Sequence, residues 1–145
     1  MGLYLIDQKE VDKVAESLLG IPYLHNGRSK EGLDCWGLVY VFFNKLGYKL
    51  PEGDGMPVEE NWYKLDPARY YRELHKLGNE VGNYRKLLRF DIPYFSLYKN
   101  VITHSGVMLD NIRFLHVLNG RSVEISSFQK RFWRKKYKGG IRLKL

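Results

Sequence analysis

What most limits this chain is an order: two capped, apolar helical stripes fill its first third, and nearly every strand-like run follows them. Asp7 opens the first stripe as a helix cap, and Glu10, three residues on, completes an Asp-x-x-Glu capping box. Val11, Val14, Ala15, Leu18 and Leu19 recur at helical spacing, Gly20 stands just past the helix end, and Pro22 blocks continuation. Residues 22 to 33 read as a loop rich in Gly, Asn, Ser and charge. A second helix starts at Asp34 and carries Leu38, Val39, Phe42, Phe43 and Leu46 as far as Gly47, apolar enough to be central and buried. Residues 48 to 66, broken by Pro51, Gly53, Gly55 and Pro57, are expected to be irregular. Asp66-Pro67 predicts a third helix with a cap and an N1 proline, its stripe being Tyr70, Tyr71, Leu74 and Leu77, ending at Gly78. Strands are predicted over 94–98, 101–109, 112–118, 122–125 and 141–145. Helices followed by strands predict an α+β domain, the N-terminal helices packed on one face of an antiparallel sheet.

The 145 residues suffice for one domain, and 44% hydrophobic content supplies a real core. Lys and Arg exceed Asp and Glu by 24 − 16 = 8, which favours polyanionic partners without choosing among nucleic acid, anionic lipid and anionic wall polymer. The densest basic run, residues 130–138 with interleaved aromatics, is expected to be a solvated helix or strand face. No recognised nucleic-acid motif accompanies it, so no specific nucleic acid is expected as partner. Acidic residues interrupt the N-terminus before any signal-peptide core forms, and no run of about 18 apolar residues occurs. The sequence therefore predicts no export signal of its own and no membrane insertion. Cys35 is the single cysteine, which excludes an intramolecular disulfide and any site needing two thiolates.

Cys35 follows the cap Asp34, so its sulfur belongs to the first turn of the buried helix, where free N–H groups and the helix dipole are expected to lower its pKa. Histidines follow on predicted strands, the order of a thiol nucleophile and its base. Of four, His75 sits on a surface-type helix, and His25 lies in the loop before Cys35, either lining a cleft or in solvent. His104 and His116 lie on adjacent strands. Twelve residues apart, they face one another only if the hairpin loop has the right parity. A three-residue loop, Leu109-Asp110-Asn111, pairs 104 with 116 directly, Asn111 being tolerant of the left-handed region, and that loop or an equivalent bulge is predicted. Both imidazoles then meet Cys35. His104 takes the thiol proton and later protonates the leaving amine, and His116 orients the His104 ring.

These residues resemble a known family. Gly20-Ile21-Pro22-Tyr23 with Asn26-Gly27, followed by Asp34-Cys35-Trp36-Gly37-Leu38-Val39, is similar to the Gly-x-Pro-Tyr, Gly-Gly and Asp-Cys-Ser-Gly-Leu-Val signature of NlpC-type cell-wall peptidases. Thr103-His104-Ser105-Gly106-Val107-Met108-Leu109 resembles the family's His-x-Gly-Ile-Tyr-Leu strand, and Phe114-Leu115-His116 its following Ile-His position. Residues 89–95 resemble its Pro-Gly-Asp-Leu-Val-Phe-Phe strand. The similarity runs from residue 7 to about 126 and implies a papain-like NlpC-type fold. By resemblance Cys35 is the nucleophile, His104 the base and His116 the orienting residue. The resemblance implies Tyr23 and Asp34 as substrate-binding residues near the free amine of the stem peptide, and Trp36 is expected beside them. The implied activity is thioester-forming hydrolysis of peptidoglycan stem peptides between γ-D-glutamate and a diamino acid, without cofactor or metal. The departures are Trp36 for the family's serine, Asn26 for one glycine of the pair, Phe90 for the glycine before Asp91, and a tyrosine-rich insertion at about 48–100 in a single domain spanning 1–145.

Other classes keep these residues for other ends: a non-catalytic tail or wall-binding module of the same fold, a thiol amidase or acyltransferase on another amide, or a zinc site on Cys35, His104 and His116. A wall enzyme without its own export signal implies delivery by another route. With Trp36 resembling a phage tail-associated branch, the expected setting is a phage tail, with tail proteins as partners, or the cytoplasm before release, with action at the cell wall.

Overall fold

A computed structural model describes residues 2–50, 66–98 and 100–144. Both capped helices are present. In α1 (Gln8–Leu18) the Asp7 carboxylate accepts from the Glu10 N–H at 2.9 Å, and in α2 (Cys35–Lys45) the Asp34 carboxylate accepts from the Gly37 N–H at 2.7 Å. Gly20 and Gly47, each with φ +87°, follow them in the left-handed conformation that costs glycine least. The stripe Val11, Val14, Ala15 and Leu18 buries against Leu38, Val39, Phe42 and Phe43 in one core, each large side chain contributing about 1.5–3 kcal/mol.

The third helix, α3 (Arg69–His75), begins later than its cap signal. Pro67 and Ala68 turn first, Ala68 stands at the N-cap without a side-chain bond, and the Asp66 carboxylate instead pairs with Arg72 at 2.7 Å in solvent. Tyr70 and Leu74 are buried, while Tyr71 is exposed. The irregular stretch expected over 48–66 lies mostly outside the described residues.

The described residues form nine short strands: β1 (Arg28–Ser29), β2 (Gly32–Leu33), β3 (Gly78–Val81), β4 (Ile92–Phe95), β5 (His104–Ser105), β6 (Val107–Met108), β7 (Arg113–His116), β8 (Glu124–Ser127) and β9 (Tyr137–Leu143). All their pairings are antiparallel, in the orders β1-β2, β3-β9-β4-β5 and β6-β7-β8. This is the expected α+β architecture. Within the stretch expected as an insertion, 48–100, residues 69–95 supply α3 and two strands of the four-stranded sheet.

The strand predicted over 101–109 is a shared one, divided at Gly106. Tyr94↔Ser105 and Phe95↔His104 set its register on β4, and the Gly106 N–H to Pro93 carbonyl and Met108 N–H to Asp91 carbonyl bonds continue that register. From Val107 onward its other edge pairs with β7, which joins the two sheets. A Cβ on Gly106 would stand 2.6 Å from the Leu115 carbonyl oxygen and 3.2 Å from the His116 Cβ, so glycine is what lets the strands close here.

The turn corrects the predicted hairpin. Leu109 donates to the Arg113 carbonyl, so the three-residue loop is Asp110-Asn111-Ile112, one residue further on than expected. Asn111 does not take a positive φ. The Asp110 carboxylate closes the turn instead, accepting from the N–H groups of Ile112 and Arg113 at 2.9 and 2.7 Å. Val107↔Leu115 and Met108↔Phe114 then carry 104 two positions out of register with 116, on the same face by parity but not directly opposite.

Phe90, standing where the resembling motif has glycine, has φ +78°. Such a bulky residue pays about 1–3 kcal/mol of backbone strain, offset by a side chain only 1% exposed, packed on Phe43 and Tyr4.

The basic run is not merely a solvated face. It forms α4 (Arg131–Lys136), whose cations and Phe132 face outward while Trp133 is buried in the second core with Phe95, Phe114 and Phe128. Among the described residues, no helix is long and apolar enough to cross a membrane.

Candidate active site

Cys35 is the first residue of α2 and its side chain is half-buried at the base of a cleft of about 490 Å³. Tyr23 and His25 from the 22–33 loop, Tyr98, Thr103 and His104, and Asn119 and Arg121 after β7 line the same cleft. The sulfur stands 3.0 Å from the Tyr70 hydroxyl and donates at 3.6 Å to the Thr103 carbonyl. Tyr70 in turn shares a hydrogen bond with the Ser105 hydroxyl. Cys35 thus touches the residues on both sides of His104.

His104 and His116 are 4% and 0% exposed, and His104 Nε2 lies 2.9 Å from His116 Nδ1. His116 Nε2 lies 2.8 Å from the Ser126 hydroxyl, while the Glu124 carboxylate stays at 4.0 Å. Among the described residues no enclosed side-chain nitrogen or oxygen lacks a partner and His104 Nδ1 has none, so that nitrogen is not enclosed, and His104 lines the cleft. A base at His104 Nδ1 would set the tautomers along this chain of contacts. A basic Nδ1 puts the proton of His104 on Nε2, donating to His116 Nδ1. The His116 proton is then on Nε2, donating to Ser126. Trp133 packs edge-on against His116 at 4.8 Å between ring centres, with Phe114 at 4.9 Å, and Phe95 covers His104 at 5.6 Å.

Burial dominates the electrostatics. It holds His104 well below the usual histidine range, with His116 as the lesser cause, and it takes His116 down to about 3, with Arg121 and Lys130 adding to the effect. The Cys35 thiol is pushed up to about 11, first by burial and then by the Asp34 carboxylate; hydrogen bonds from Tyr70 and from the N–H groups of Ser105 and Trp36 oppose this. The expected lowering at the helix start is therefore overturned: the dipole acts, but desolvation and a carboxylate one residue away outweigh it. The resting pair is neutral thiol and neutral imidazole.

A pH dependence of stability follows. Both folded-state histidine pKa values lie below the unfolded value of about 6.5, so the unfolded chain binds more protons below that pH. Stability is complete above about pH 6.5 and falls on acidification by about 1–1.4 kcal/mol per histidine per pH unit. Calorimetry at pH 7.5 and 5.5 is expected to show a fall in Tm of roughly 5–10 °C. In His116→Gln that fall shrinks by about half; an unchanged pH slope in the variant removes His116 as its source.

The residues expected to bind substrate separate here. Tyr23 lines the cleft. The Asp34 carboxylate accepts from the N–H groups of Gly37 and Asn26 and from Arg28 at 2.9 Å, tying the loop to the helix start. Trp36 packs on Tyr70, ring centres 5.7 Å apart. Asn26, at φ +61°, holds the left-handed conformation the glycine pair would otherwise supply. Sequence reasoning missed Tyr70, Ser105, Ser126 and Trp133. Among the described residues no group of three His, Cys, Asp or Glu side chains is placed to hold a metal ion, and the facing nitrogens of the two imidazoles engage each other.

A cysteine at the start of a buried helix shares its cleft with an imidazole from a strand later in the chain, which is the papain-like order of these groups, and this chain belongs to the NlpC/P60 family, whose model matches residues 20–142. It is 26% identical over 129 residues to the Bacillus subtilis protein named "Probable peptidoglycan endopeptidase LytE", covering 88% of this chain and 32% of that one. It is 28% identical over 134 residues to the "Probable endopeptidase NlpC homolog" of Haemophilus influenzae, covering 92% and 61%. With the B. subtilis gamma-D-glutamyl-L-lysine dipeptidyl-peptidase it shares 25% identity over 130 residues, covering 88% and 38%. The chain thus spans less than two thirds of each relative's length. The NlpC/p60 domain of the peptidoglycan hydrolase SagA has the same fold, with TM-score 0.66 at 15% identity, covering 95% of this chain and 100% of that one. So does RipD of Mycobacterium tuberculosis, described as a non-catalytic NlpC/p60 domain protein, with TM-score 0.58 at 17% identity, covering 93% and 95%.

Proposed function

We propose that this chain is a cysteine endopeptidase that hydrolyses peptidoglycan stem peptides at the bond between γ-D-glutamate and a diamino acid. The observation that carries the reading is the buried His104–His116–Ser126 relay, whose His104 lines the cleft that holds Cys35. Membership of the family supports the reaction class, and the name of the γ-D-glutamyl-L-lysine dipeptidyl-peptidase relative supports the bond.

In this mechanism Sγ attacks the carbonyl carbon while its proton passes to His104 Nδ1. The imidazolium then holds a charge-assisted hydrogen bond to neutral His116 through Nε2. The Cys35 N–H at the helix start faces the developing oxyanion. Collapse of the tetrahedral intermediate breaks the C–N bond, and His104 gives its proton to the leaving amine. Water then attacks the thioester with His104 again as base, releasing the carboxylate and restoring the thiol.

Neutral partners at rest mean that the proton moves only as the carbon–sulfur bond forms. The fold alone does not imply this activity, as RipD illustrates. The test is digestion of defined stem peptides carrying lysine or diaminopimelate, with fragments identified by mass spectrometry. Fragments ending in γ-D-glutamate are expected; intact peptides with retained binding to the wall would instead make the chain a binding module.

A further inference from the structure

Tyr70 has no place in the reaction just described, yet it reaches the nucleophile from an element that the resembling motifs do not include. It rises from α3, is 8% exposed, and puts its hydroxyl 3.0 Å from Cys35 Sγ. Its hydroxyl is bonded to both Sγ and the Ser105 hydroxyl, which is itself fully buried beside His104. A thiol can donate, and here it has the Thr103 carbonyl to donate to. A thiolate can only accept. Once the thiol proton has left, Tyr70 must point its proton at sulfur and take one from Ser105.

We propose that Tyr70 is a positioning residue for the nucleophile, its hydroxyl donating to the Cys35 sulfur and accepting from Ser105 in a two-hydroxyl relay that meets the charge left when the thiol proton goes to His104. The balance closes: one proton passes from Sγ to His104 Nδ1, and the Tyr70 and Ser105 protons stay on their own oxygens and only reorient. Burial and the neighbouring sulfur hold the Tyr70 phenol well above its ordinary pKa, so it stays a neutral donor throughout. Trp36, the residue standing where the resembling motif has serine, packs on the Tyr70 ring and holds that ring in place. The other titratable or charged groups around the sulfur are Asp34 at its own helix cap, His104 from β5, and Tyr23, His25, Tyr98 and Arg121 in the cleft wall. Only Tyr70 reaches Sγ with a side-chain hydrogen bond among them.

The inference rests on the cysteine reading of the site, but its test does not need the peptide substrate. Tyr70→Phe keeps the ring on Trp36 and removes only the hydroxyl. Alkylation of Cys35 by iodoacetamide at pH 8 to 9 reports the thiolate present without substrate. Losing a hydrogen bond to a charged group lowers that population about 10- to 100-fold, and the higher nucleophilicity of the more basic sulfur offsets part of it. The alkylation rate is therefore expected to fall at least about 5-fold. A purely packing role predicts the opposite sign, since a loosened pocket exposes the sulfur and alkylates faster. Ser105→Ala leaves Tyr70 in place and is expected to slow alkylation by about 3-fold, and it decides the matter should Tyr70→Phe not fold. Alkylation at or above the wild-type rate in the folded variants overturns the proposal. Slower alkylation in an enzyme that cuts no stem peptide upholds the relay and sinks the proposed substrate instead.

Discussion

Cys35→Ala is expected to abolish stem-peptide cleavage, lowering kcat/KM by about 10⁴-fold or more while leaving the fold in place. In the proposed mechanism the sulfur is the group that bonds the carbonyl carbon. His104 alone has no acid or base work once the attacking atom is gone. His104→Gln is accordingly expected to lose nearly as much, and the double variant no more than either single one, because the two act as a unit. The size of the loss follows from the neutral resting pair. With the thiol near 11 and the imidazole depressed by burial, sulfur without its base is almost wholly protonated at neutral pH. The check is turnover of a defined muropeptide by chromatography beside a thermal melt. A variant that melts like wild type and keeps more than about 1% of its turnover would remove Cys35 from the reaction.

Gly37→Ala is expected to destabilise the protein by about 2–3 kcal/mol, although helix propensity alone argues for a gain of about 1 kcal/mol. The sign is set by what an added methyl meets. Its carbon would stand 2.1 Å from the Gly27 carbonyl oxygen and 2.7 Å from the Arg28 guanidinium. The guanidinium can swing away; the carbonyl is backbone in the 22–33 loop and moves only if the loop does. That loop carries Tyr23 and His25 into the cleft and is tied to the helix start through Asp34. Tm is expected to drop by roughly 8 °C and kcat/KM by about 10- to 100-fold, since a displacement near 1 Å is enough for such a loss. A higher Tm in the variant would show that the loop yields freely and that the contact is not what keeps glycine in the helix.

The parts of this molecule written locally were legible in its sequence. Asp7 and Asp34 cap their helices because a carboxylate bonds an N–H three residues away whatever else the fold does. Cys35, His104 and His116 stand out in the sequence by residue type, and the structure brings Cys35 and His104 to one cleft with His116 bonded behind His104. What failed depends on distant partners. β3, with two exposed polar residues in its four, is a strand only because β9 lies beside it. The hairpin slipped by one because the Asp110 side chain closes the turn, which parity counting does not see. Trp133 reads as one aromatic in a cationic run until the histidines it encloses are in place. Tyr70 reads as helix stripe until Cys35 is opposite it. The thiol pKa was misjudged for the same reason, the helix start being visible in sequence and the depth of burial not.

The position of β9 has a consequence in time. It is the last strand of the chain yet lies between β3 and β4 in the middle of the four-stranded sheet. A growing chain contains Cys35, His104 and His116 before residues 137–143 are added to bind the two strands together. His116 precedes Leu143 by 143 − 116 = 27 residues, about 1–5 s at ordinary elongation rates. During that interval the Trp133 lid over the imidazoles is also unmade. Synthesis thus supplies these three side chains first and the scaffold that aligns them last, so a released chain ending at residue 130 carries all three and is expected to lack the folded cleft.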